Sequence, residues 1–426
     1  MNLPPRLGGL MESRVTRLLV SESAWPWFFA ALIGLFLRRP QSLIHAEFAY
    51  EDGKIFYLGS WFGGPLDQLL RPYSGYLYVI PRFVGVLEHA VSPAVAPLAA
   101  NLAALVIASL VVRFIASDRL ATVIPDRNLR WAFALLVIVQ PGVDMVLGSI
   151  TFIQFYLGSF LVAAAIASPA RGAVSAALTR AALIATALTG PFSILLLPLY
   201  GARLFARRDR DSVWSLSCVG LGAAAQVITL LLTGAGGREA AAPTLAPWDV
   251  ARVVGIHLAT GFTGTRIMSH LVIVWPPFWI AAPAILGLVG LVVLALRSVP
   301  RLWLLLAGYM WASIIGSSLI AGSDPTELLL NPLSASRYFV IPWLALGILV
   351  IFSATRRNRA AIALVALLAV GIVGDLRLPS GWDYGWTSAA TCVGGPAPCE
   401  IRIFPGTPYW SLKWPGLDQT TQLPGP

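Results

Sequence analysis

Residues 93 to 115 read PAVAPLAANLAALVIASLVVRFI, and this stretch decides the fold class. It has no charged residue before Arg113, and its length matches the roughly 20 apolar residues that a helix needs to cross a bilayer. Similar runs recur along almost the whole chain, so we predict an all-α, polytopic membrane protein with about eleven transmembrane helices. The predicted spans are residues 18–37, 93–115, 131–148, 152–168, 173–189, 191–205, 212–233, 271–296, 299–321, 338–354 and 360–376.

The distribution of charge predicts the orientation. Only 12% of the 426 residues are charged and 57% are hydrophobic, which excludes an ordinary soluble domain. With the N-terminus inside, the inner segments hold 17 arginines against six acidic residues, and the outer segments hold 12 basic and 14 acidic residues. Basic residues in short loops resist translocation. We therefore predict the N-terminus inside and the C-terminus outside. The net charge of +10 is then an inner-side excess, which indicates a lipid membrane as partner and no nucleic acid.

Long outer segments divide the predicted architecture. Residues 1–376 form a transmembrane module, within which 38–92 is a first outer loop with interfacial helices and 234–270 is a later outer loop. Residues 377–426 form a small outer tail domain. Long loops with mixed charge and many aromatic residues are where a membrane protein usually places its chemistry.

A disulfide is predicted to hold the tail. Cys392 and Cys399 lie in the outer, oxidising compartment, where disulfides persist. Cys218 falls in the middle of a span and is expected to be an inert packing thiol. The Trp and Tyr residues of the tail suit either stacking against sugars or a lid packed on the other outer loops, and both alternatives stay open.

Two adjacent acids in the first outer loop are the candidate catalytic residues. Glu51 and Asp52 follow the first span closely, so they are expected near the membrane interface. Partial desolvation raises the basicity of a carboxylate and suits it to general-base work or to holding a cation. Neighbours on a helix point about 100 degrees apart. We favour Asp52, because Gly53 beside it allows close approach of a ligand. The alternative is a solvated loop whose acids cap a short helix.

The stretch after these acids is predicted to be an amphipathic helix lying on the membrane. It contains candidate phosphate-binding and substrate-binding side chains, namely Arg71, Tyr73, Tyr76, Tyr78 and Arg82. Arginine binds a phosphate through two parallel hydrogen bonds, which lysine cannot match. The alternative for both arginines is snorkelling to lipid headgroups.

Four further residues are candidates, Arg266 for binding the donor phosphate and His257, Gln154 and Tyr156 for binding the substrate. His257 and Arg266 lie in the loop 234–270, whose glycines and threonines suggest a mobile segment that orders over a bound lipid. A plain connector is the alternative. Gln154 and Tyr156 lie near the outer end of a span, where a polar side chain needs a partner. Substrate contact and helix-to-helix hydrogen bonding explain them equally well.

Several of these motifs together resemble the GT-C superfamily of polytopic membrane glycosyltransferases. The motifs that support the resemblance are Glu51-Asp52-Gly53, Arg71-Pro-Tyr-Ser-Gly-Tyr-Leu, Gln154-Phe-Tyr, Gly190-Pro191-Phe192 and Ser336-Arg337-Tyr338-Phe339. The resemblance implies a first-loop acidic motif, a sugar donor on a polyprenyl-phosphate or polyprenyl-pyrophosphate carrier, and often an outer soluble domain. It also implies that Arg337 binds the carrier phosphate, and Tyr338 beside it is a candidate substrate-binding residue. Only the paired-acid form of the motif is matched, so the identity of the base stays open.

The resemblance implies an inverting glycosyltransferase at the outer, periplasmic face of a bacterial inner membrane. The acceptor would be a hydroxyl of a glycan, a lipid or a protein. A divalent cation, Mg²⁺ or Mn²⁺, is possible, and Glu51 and Asp52 would be its ligands. Two alternatives belong to other classes: a transporter or flippase of a lipid-linked sugar or small solute, and a non-catalytic subunit of an envelope polysaccharide system.

Overall fold

The computed structural model describes residues 24–233, 247–274, 278–321, 331, 335–377, 383–406 and 410–416. Parts of four predicted segments lie outside the described residues. These parts are the start of the span 18–37, residues 234–246 of the later outer loop, residues 275–277 of the span 271–296, and residues 378–382, 407–409 and 417–426 of the tail.

The described chain is mostly helical and contains one two-stranded sheet. The α-helices in chain order are α1 (Trp25–Arg38), α2 (Gln41–Ile44), α3 (Leu58–Ser60), α4 (Pro65–Leu70), α5 (Val79–His89), α6 (Ala96–Ala116), α7 (Arg127–Val139), α8 (Ile153–Ile166), α9 (Ala173–Ala187), α10 (Phe192–Arg207), α11 (Arg210–Thr233), α12 (Pro247–Thr263), α13 (Thr265–Val274), α14 (Phe278–Leu296), α15 (Arg301–Ala321), α16 (Val340–Thr355), α17 (Arg359–Asp375) and α18 (Trp386–Ala389). A π-helix covers Asp52–Tyr57, and 3-10 turns cover Asp118–Leu120, Ser336–Phe339 and Ala390–Cys392. Strands β1 (Cys399–Arg402) and β2 (Ser411–Trp414) pair antiparallel.

Three helical segments have the length and the apolar composition to cross a membrane. They are α6, α11 and Ser336–Thr355, which includes α16. Six shorter apolar helical segments lie within α1, α8, α9, α12, α14 and α15. Each predicted span overlaps at least one of the α-helices given above. The structure is therefore compatible with a helical membrane protein, whereas the number of crossings and the orientation stay predictions.

The helices gather into a bundle with two distinct ends. Asp52 of the first loop meets Thr151, just before α8 begins, where the Thr151 amide donates to the carboxylate at 2.8 Å. Beyond the other end of α8, the carbonyl of Ser168 accepts from Arg119 Nη2 at 3.0 Å. We call the first region the Glu51 end and the second the arginine-rich end. The core between them is formed by small and aliphatic side chains of α6, α8, α10 and α16.

Helix α7 is shorter than the predicted span 131–148. It ends at Val139 because Pro141 follows, and Gly142 then adopts a positive φ of 80°. A Cβ on Gly142 would lie 2.2 Å from the Trp343 ring, so only glycine fits this turn. The irregular segment 140–152 folds back toward the first loop. It delivers the groups that contact Asp52.

The region 234–270 contains more helix than the predicted outer connection. Helices α12 and α13 occupy most of its described part. Gly371 allows the close approach of α17 to this pair, since a Cβ there would lie 2.4 Å from the carbonyl of Phe262. Buried apolar side chains such as Val253 then pack with Phe339 and Trp343. This part of the region belongs to the bundle.

The tail packs on the first loop as a small disulfide-linked unit. The predicted disulfide between Cys392 and Cys399 is confirmed. Glu47 Oε1 accepts from the amides of Tyr384 at 2.8 Å and Trp386 at 3.0 Å. Aromatic side chains of both segments share one buried cluster, which includes Phe48, Tyr57, Phe62, Trp386 and Trp414. Among the described residues, the geometry of Trp386 and Trp414 fits the lid alternative.

Candidate functional site

Asp52 begins the π-helix and is completely buried, with 0% exposure. Its carboxylate accepts hydrogen bonds from Ser149 Oγ at 3.2 Å, the Ile150 amide at 3.1 Å, the Thr151 amide at 2.8 Å and the Thr151 hydroxyl. Burial raises the pKa of Asp52 to about 7, although the bonds from Thr151 and Ile150 oppose the rise. Asp52 therefore joins the first loop to the segment before α8. This orientation differs from the prediction that Asp52, rather than Glu51, points into the site.

The Glu51 carboxylate has different surroundings. The Tyr73 hydroxyl donates to Glu51 Oε1 at 3.1 Å. Glu51 Oε2 is buried and has no hydrogen-bond partner among the described residues. Burial raises the pKa of Glu51, while the positive charges of Arg337 and Lys54 and the Tyr73 bond act in the opposite direction. A buried carboxylate oxygen without a donor is rare in proteins and marks a place where a donor can bind.

Arg337 lies within electrostatic reach of Glu51. Its guanidinium donates to the Tyr338 hydroxyl at 3.1 Å and to Met145 Sδ at 3.3 Å. The guanidinium carbon also lies 5.2 Å from the centre of the Phe152 ring, a cation–π distance. The 3-10 turn Ser336–Phe339 holds this arginine at the start of α16. The structure thus brings a late-loop arginine to the first-loop acid, although they are far apart in the sequence.

Aromatic rings flank the carboxylate. Tyr50, directly before Glu51, has a positive φ of 54°. Its ring makes edge contacts with Phe152 at 5.1 Å, Phe404 at 5.3 Å and Trp410 at 5.3 Å between centroids. Lys54 Nζ lies 5.8 Å from the centre of the Trp410 ring. The tail therefore contributes two of the rings around Tyr50.

The stretch 71–82 differs from the predicted single amphipathic helix. Tyr73 and Tyr76 exchange two backbone hydrogen bonds, of 2.8 and 3.0 Å, across a tight turn. Ser74 and Gly75, the central residues, have φ values of 50° and 83°, the left-handed pair of a type I′ turn. The helix α5 begins only at Val79. This turn aims the Tyr73 hydroxyl at Glu51 and leaves Tyr76 half-buried.

The two predicted phosphate-binding arginines of this stretch have different environments. Arg82 is buried, and its Nη1 donates to the carbonyl of Ile55 at 3.1 Å. Burial lowers the pKa of Arg82 to about 10, with a smaller contribution from the charge of Arg71. Arg82 therefore stabilises the π-helix through its hydrogen bond to the Ile55 carbonyl. Arg71 is half-buried, and of the two it is the one placed to meet a ligand.

The remaining predicted site residues make contacts away from Glu51. His257 is buried and stacks on Phe339 with ring centres 3.8 Å apart, because α12 is packed in the bundle and is not a mobile loop. The Arg266 side chain donates to the carbonyl of Arg377. Gln154 lies against Gly190, where a Cβ would come within 2.0 Å of its Oε1. None of these contacts gives a reason to place these residues at a substrate.

Tyr156 belongs to a buried polar cluster that the sequence analysis did not predict. Its hydroxyl has no hydrogen-bond partner among the described residues, and Arg38 and Arg39 lie within electrostatic reach. Arg38 Nη1 donates to the carbonyl of Ile138 at 2.8 Å, and Arg39 Nη1 donates to that of Leu147 at 2.7 Å. The two arginines thus hold both ends of the chain reversal that follows α7.

Asp375 completes this cluster. Its carboxylate accepts from the amides of Gly142 at 3.1 Å and Thr265 at 2.7 Å, and from the Thr265 hydroxyl at 2.9 Å. It therefore binds the first turn of α13 to the end of α17. Asp144 is buried beside it, as the Thr265 hydroxyl also lies 3.4 Å from Asp144 Oδ2. These contacts are long-range, so no local pattern predicts them.

Glu88 is a further buried acid that the sequence analysis did not single out. It is 1% exposed, and neither carboxyl oxygen has a hydrogen-bond partner among the described residues. Burial raises the pKa of Glu88 well above 4.5, and the negative charge of Asp52 adds to this rise. The sequence feature that could have indicated its burial is its position four residues after Val84, which places Glu88 on the apolar face of α5.

The acidic pair does not fit a divalent cation held between its members. Both Asp52 oxygens already accept hydrogen bonds, so only Glu51 Oε2 is available as a ligand. Within the described ranges, no group of three or more His, Cys, Asp or Glu side chains is placed to hold a metal ion. Divalent cations prefer several oxygen ligands.

Comparison of the chain with protein-family models gives no match, and comparison with curated proteins gives none either.

Proposed function

We propose that the protein is a GT-C-type membrane glycosyltransferase, which moves a sugar from a polyprenyl-phosphate carrier to an acceptor hydroxyl. The observation that supports it best is Glu51 Oε2, a buried carboxylate oxygen without a hydrogen-bond donor among the described residues, within electrostatic reach of Arg337. An acceptor hydroxyl of a glycan, lipid or protein supplies that donor, and Arg337 supplies a positive charge for the carrier phosphate. The sequence motifs that resemble GT-C proteins include both residues.

Glu51 is the proposed general base. Burial raises its pKa, which makes the carboxylate a stronger base than an exposed glutamate. The acceptor gives its hydroxyl proton to Glu51 while its oxygen attacks the anomeric carbon. The bond from that carbon to the phosphate oxygen breaks, and polyprenyl phosphate leaves with the electron pair. Attack opposite the leaving group inverts the anomeric configuration. Arg337 and Arg71 stabilise the charge on the leaving phosphate.

Asp52 is a positioning residue in this proposal. Its hydrogen bonds to Ile150 and Thr151 fix the π-helix against the start of α8, and the backbone of Glu51 is fixed with it. No step uses a metal ion, since the pair does not fit one. The proposed site lies at the Glu51 end of the bundle, which the charge pattern predicts to face outward, and the proposed membrane is a bacterial inner membrane. A lipid carrier would reach it sideways from the bilayer.

The transporter alternative has less support. It requires ionisable side chains that face a solute in the interior of the bundle. The buried acids Asp52 and Asp375 are satisfied by amide and hydroxyl donors, which is the pattern of structural groups, whereas the buried Glu88 carboxyl has no hydrogen-bond partner among the described residues. The product distinguishes the two functions, because a transporter moves the lipid-linked sugar intact and a transferase releases polyprenyl phosphate.

Reconstitution with a set of polyprenyl-phosphate hexoses and pentoses tests the proposal. We expect one donor to yield polyprenyl phosphate and Glu51→Gln to lower kcat by about a hundredfold or more, as for loss of a general base. Asp67→Asn is the matched control, an exposed acid of the same loop. Full transfer by a normally folded Glu51→Gln variant would rule out this base. A non-catalytic subunit would release no polyprenyl phosphate with any donor.

A further inference from the structure

A large cleft lies between α6, α8 and α9, and Glu51 is not among its lining residues. Its volume is about 2000 Å³, which is larger than the roughly 300–1,000 Å³ of ordinary small-molecule sites. It extends from Ile80 and Thr186 to Arg119 and Arg171 at the arginine-rich end. The cleft therefore runs along much of the length of α9.

Helix α9 is joined to its neighbours by hydrogen bonds in its first half and beyond its last turn, and the cleft includes the stretch between these two points. Beyond its last turn, the Thr189 hydroxyl accepts from the amide of Ile80 at 3.2 Å. In its first half, the Thr179 hydroxyl accepts from Arg119 Nη1 at 2.8 Å. The walls between these two attachments are apolar and include Ile107, Phe114, Leu157, Phe160, Leu178 and Ala182. Leu178 is 66% exposed, so its side chain has room for a neighbour.

The arginine-rich end of the cleft has more positive than negative charge. Five arginines line it, and Asp118 is the acid among the described lining residues. Asp118 is paired with Arg130 at 2.8 Å, and Arg119 is bound to Ser168 and Thr179. The three others, Arg113, Arg127 and Arg171, form no ion pair with a described acid.

Aromatic rings hold two of these arginines in place. The Arg113 guanidinium carbon lies 4.1 Å from the Trp25 ring centre, and that of Arg127 lies 4.1 Å from the Trp131 ring centre. Arg113 Nε is buried and has no hydrogen-bond partner among the described residues. These groups are arranged to receive an anion that is attached to something apolar.

We propose that this cleft is a binding site for an anionic phospholipid. The phosphate lies among Arg113, Arg127 and Arg171, and the acyl chains lie along α6, α8 and α9. Charge complementarity selects the anionic headgroup, since three unpaired arginines line one end and the only described acid there is neutralised. Basic pockets between helices at the inner side of a membrane are typical sites for anionic headgroups. This site does not depend on the transferase proposal.

Native mass spectrometry of the purified full chain tests the site. Phosphatidylglycerol and phosphatidylcholine with identical acyl chains are added at equal concentrations, and the retained lipids are counted. We expect preferential retention of phosphatidylglycerol. The variant Arg113→Gln/Arg127→Gln/Arg171→Gln should retain about a hundredfold less phosphatidylglycerol, because three arginines each contribute at a lipid phosphate. Arg356→Gln/Arg357→Gln/Arg359→Gln is the control, because it removes three exposed arginines from another turn.

A second variant keeps the charge unchanged. Leu178→Trp fills the cleft from the α9 side, so it should also lower retention, while the unfolding temperature stays close to that of the natural chain. Three results would overturn the proposal: equal retention of both lipids, equal loss in the cleft variant and the control variant, or complete displacement of phosphatidylglycerol by an equal amount of polyprenyl phosphate.

Discussion

Glu51 and Asp52 are neighbours in the chain, yet their carboxylates meet different groups. Asp52 accepts hydrogen bonds from Ser149, Ile150 and Thr151, whereas Glu51 accepts one from Tyr73 and keeps an oxygen without a donor. The angle of about 100 degrees between successive helical side chains produces this division. Glu51, the proposed base, and Asp52, which supports the structure, are therefore adjacent in the chain and differ in role.

The bond from Tyr73 gives a prediction about pH. It lowers the pKa of Glu51, so Tyr73→Phe should raise that pKa. A general base works only when it is deprotonated, and we therefore expect the acid limb of the kcat profile to move to higher pH. The measurement is transfer rate against pH. Tyr309→Phe is the control, because the Tyr309 hydroxyl bonds to the Leu195 carbonyl in another part of the bundle. An acid limb that stays in place would contradict a role for Glu51 as base.

Glu88 gives a prediction about stability. Its pKa is raised well above 4.5 in the fold, so the folded state keeps a proton that the unfolded state loses above that pH. Stability then falls as pH rises from about 4.5. Glu88→Gln cannot ionise and should flatten this dependence, with a gain on the order of 1 kcal/mol or more at pH 8. Denaturant unfolding at pH 4 to 8 measures it, with the exposed Glu400→Gln as control. Parallel curves for Glu88→Gln and the natural chain would refute the prediction.

At the scale of single residues, the sequence predicts which types of side chain matter better than where they point. It selected Glu51, Tyr73 and Arg337, which the structure brings together. It favoured Asp52 over Glu51 as the base, whereas the Asp52 carboxylate is bound to a segment nearly a hundred residues later, a contact that no local pattern reveals. The buried position of His257 likewise depends on distant aromatic side chains.

At the scale of elements, hydrophobic runs predicted helices well, because each run is longer than a strand or a loop needs. The prediction was weaker where a helix had to end inside an apolar run. Pro141 and Gly142 end α7, and the apolar residues that follow form the turn segment that reaches Asp52. Helix α12 was missed because its stretch is less apolar and rich in glycine and threonine. Its burial comes from packing against α17.

The attachment of the tail is a property of one element that can be tested. Glu47 accepts two backbone hydrogen bonds from the tail, and each bond to a charged group contributes about 1.5–3 kcal/mol. Glu47→Ala should therefore speed hydrogen exchange at the amides of Tyr384 and Trp386. Asp126→Ala, which removes a similar acceptor from the start of α7, should leave those amides unchanged. Unaltered exchange in Glu47→Ala would show that other contacts hold the tail.

At the scale of the whole molecule, the charge pattern predicts that the N-terminus lies inside and the C-terminus outside. The structure separates the arginine-rich turns from Glu51 by the length of α8. This separation is what an N-inside, C-outside arrangement requires. The orientation can be predicted from the sequence because basic residues in short loops resist translocation during insertion. Packing inside the bundle does not depend on the charge of these loops.

Single cysteines test this orientation. In a Cys218→Ser background, Asp67→Cys and Asn128→Cys place thiols on exposed residues at the two ends of the bundle. We expect a membrane-impermeant maleimide to label Asp67→Cys in intact cells and to label Asn128→Cys only after the membrane is opened. The opposite pattern would reverse the topology and move the proposed transfer site to the inner face.

The contact between the tail and Tyr50 has a consequence for biogenesis. Tyr50 donates its amide proton to Phe404 and packs against Trp410, yet these partners leave the ribosome long after Glu51 has been synthesised. Helices near the N-terminus can insert early, but the surroundings of Glu51 become complete only when the tail has been exported and has docked. The proposed transferase activity is therefore expected to appear only after the tail has docked on an already inserted chain.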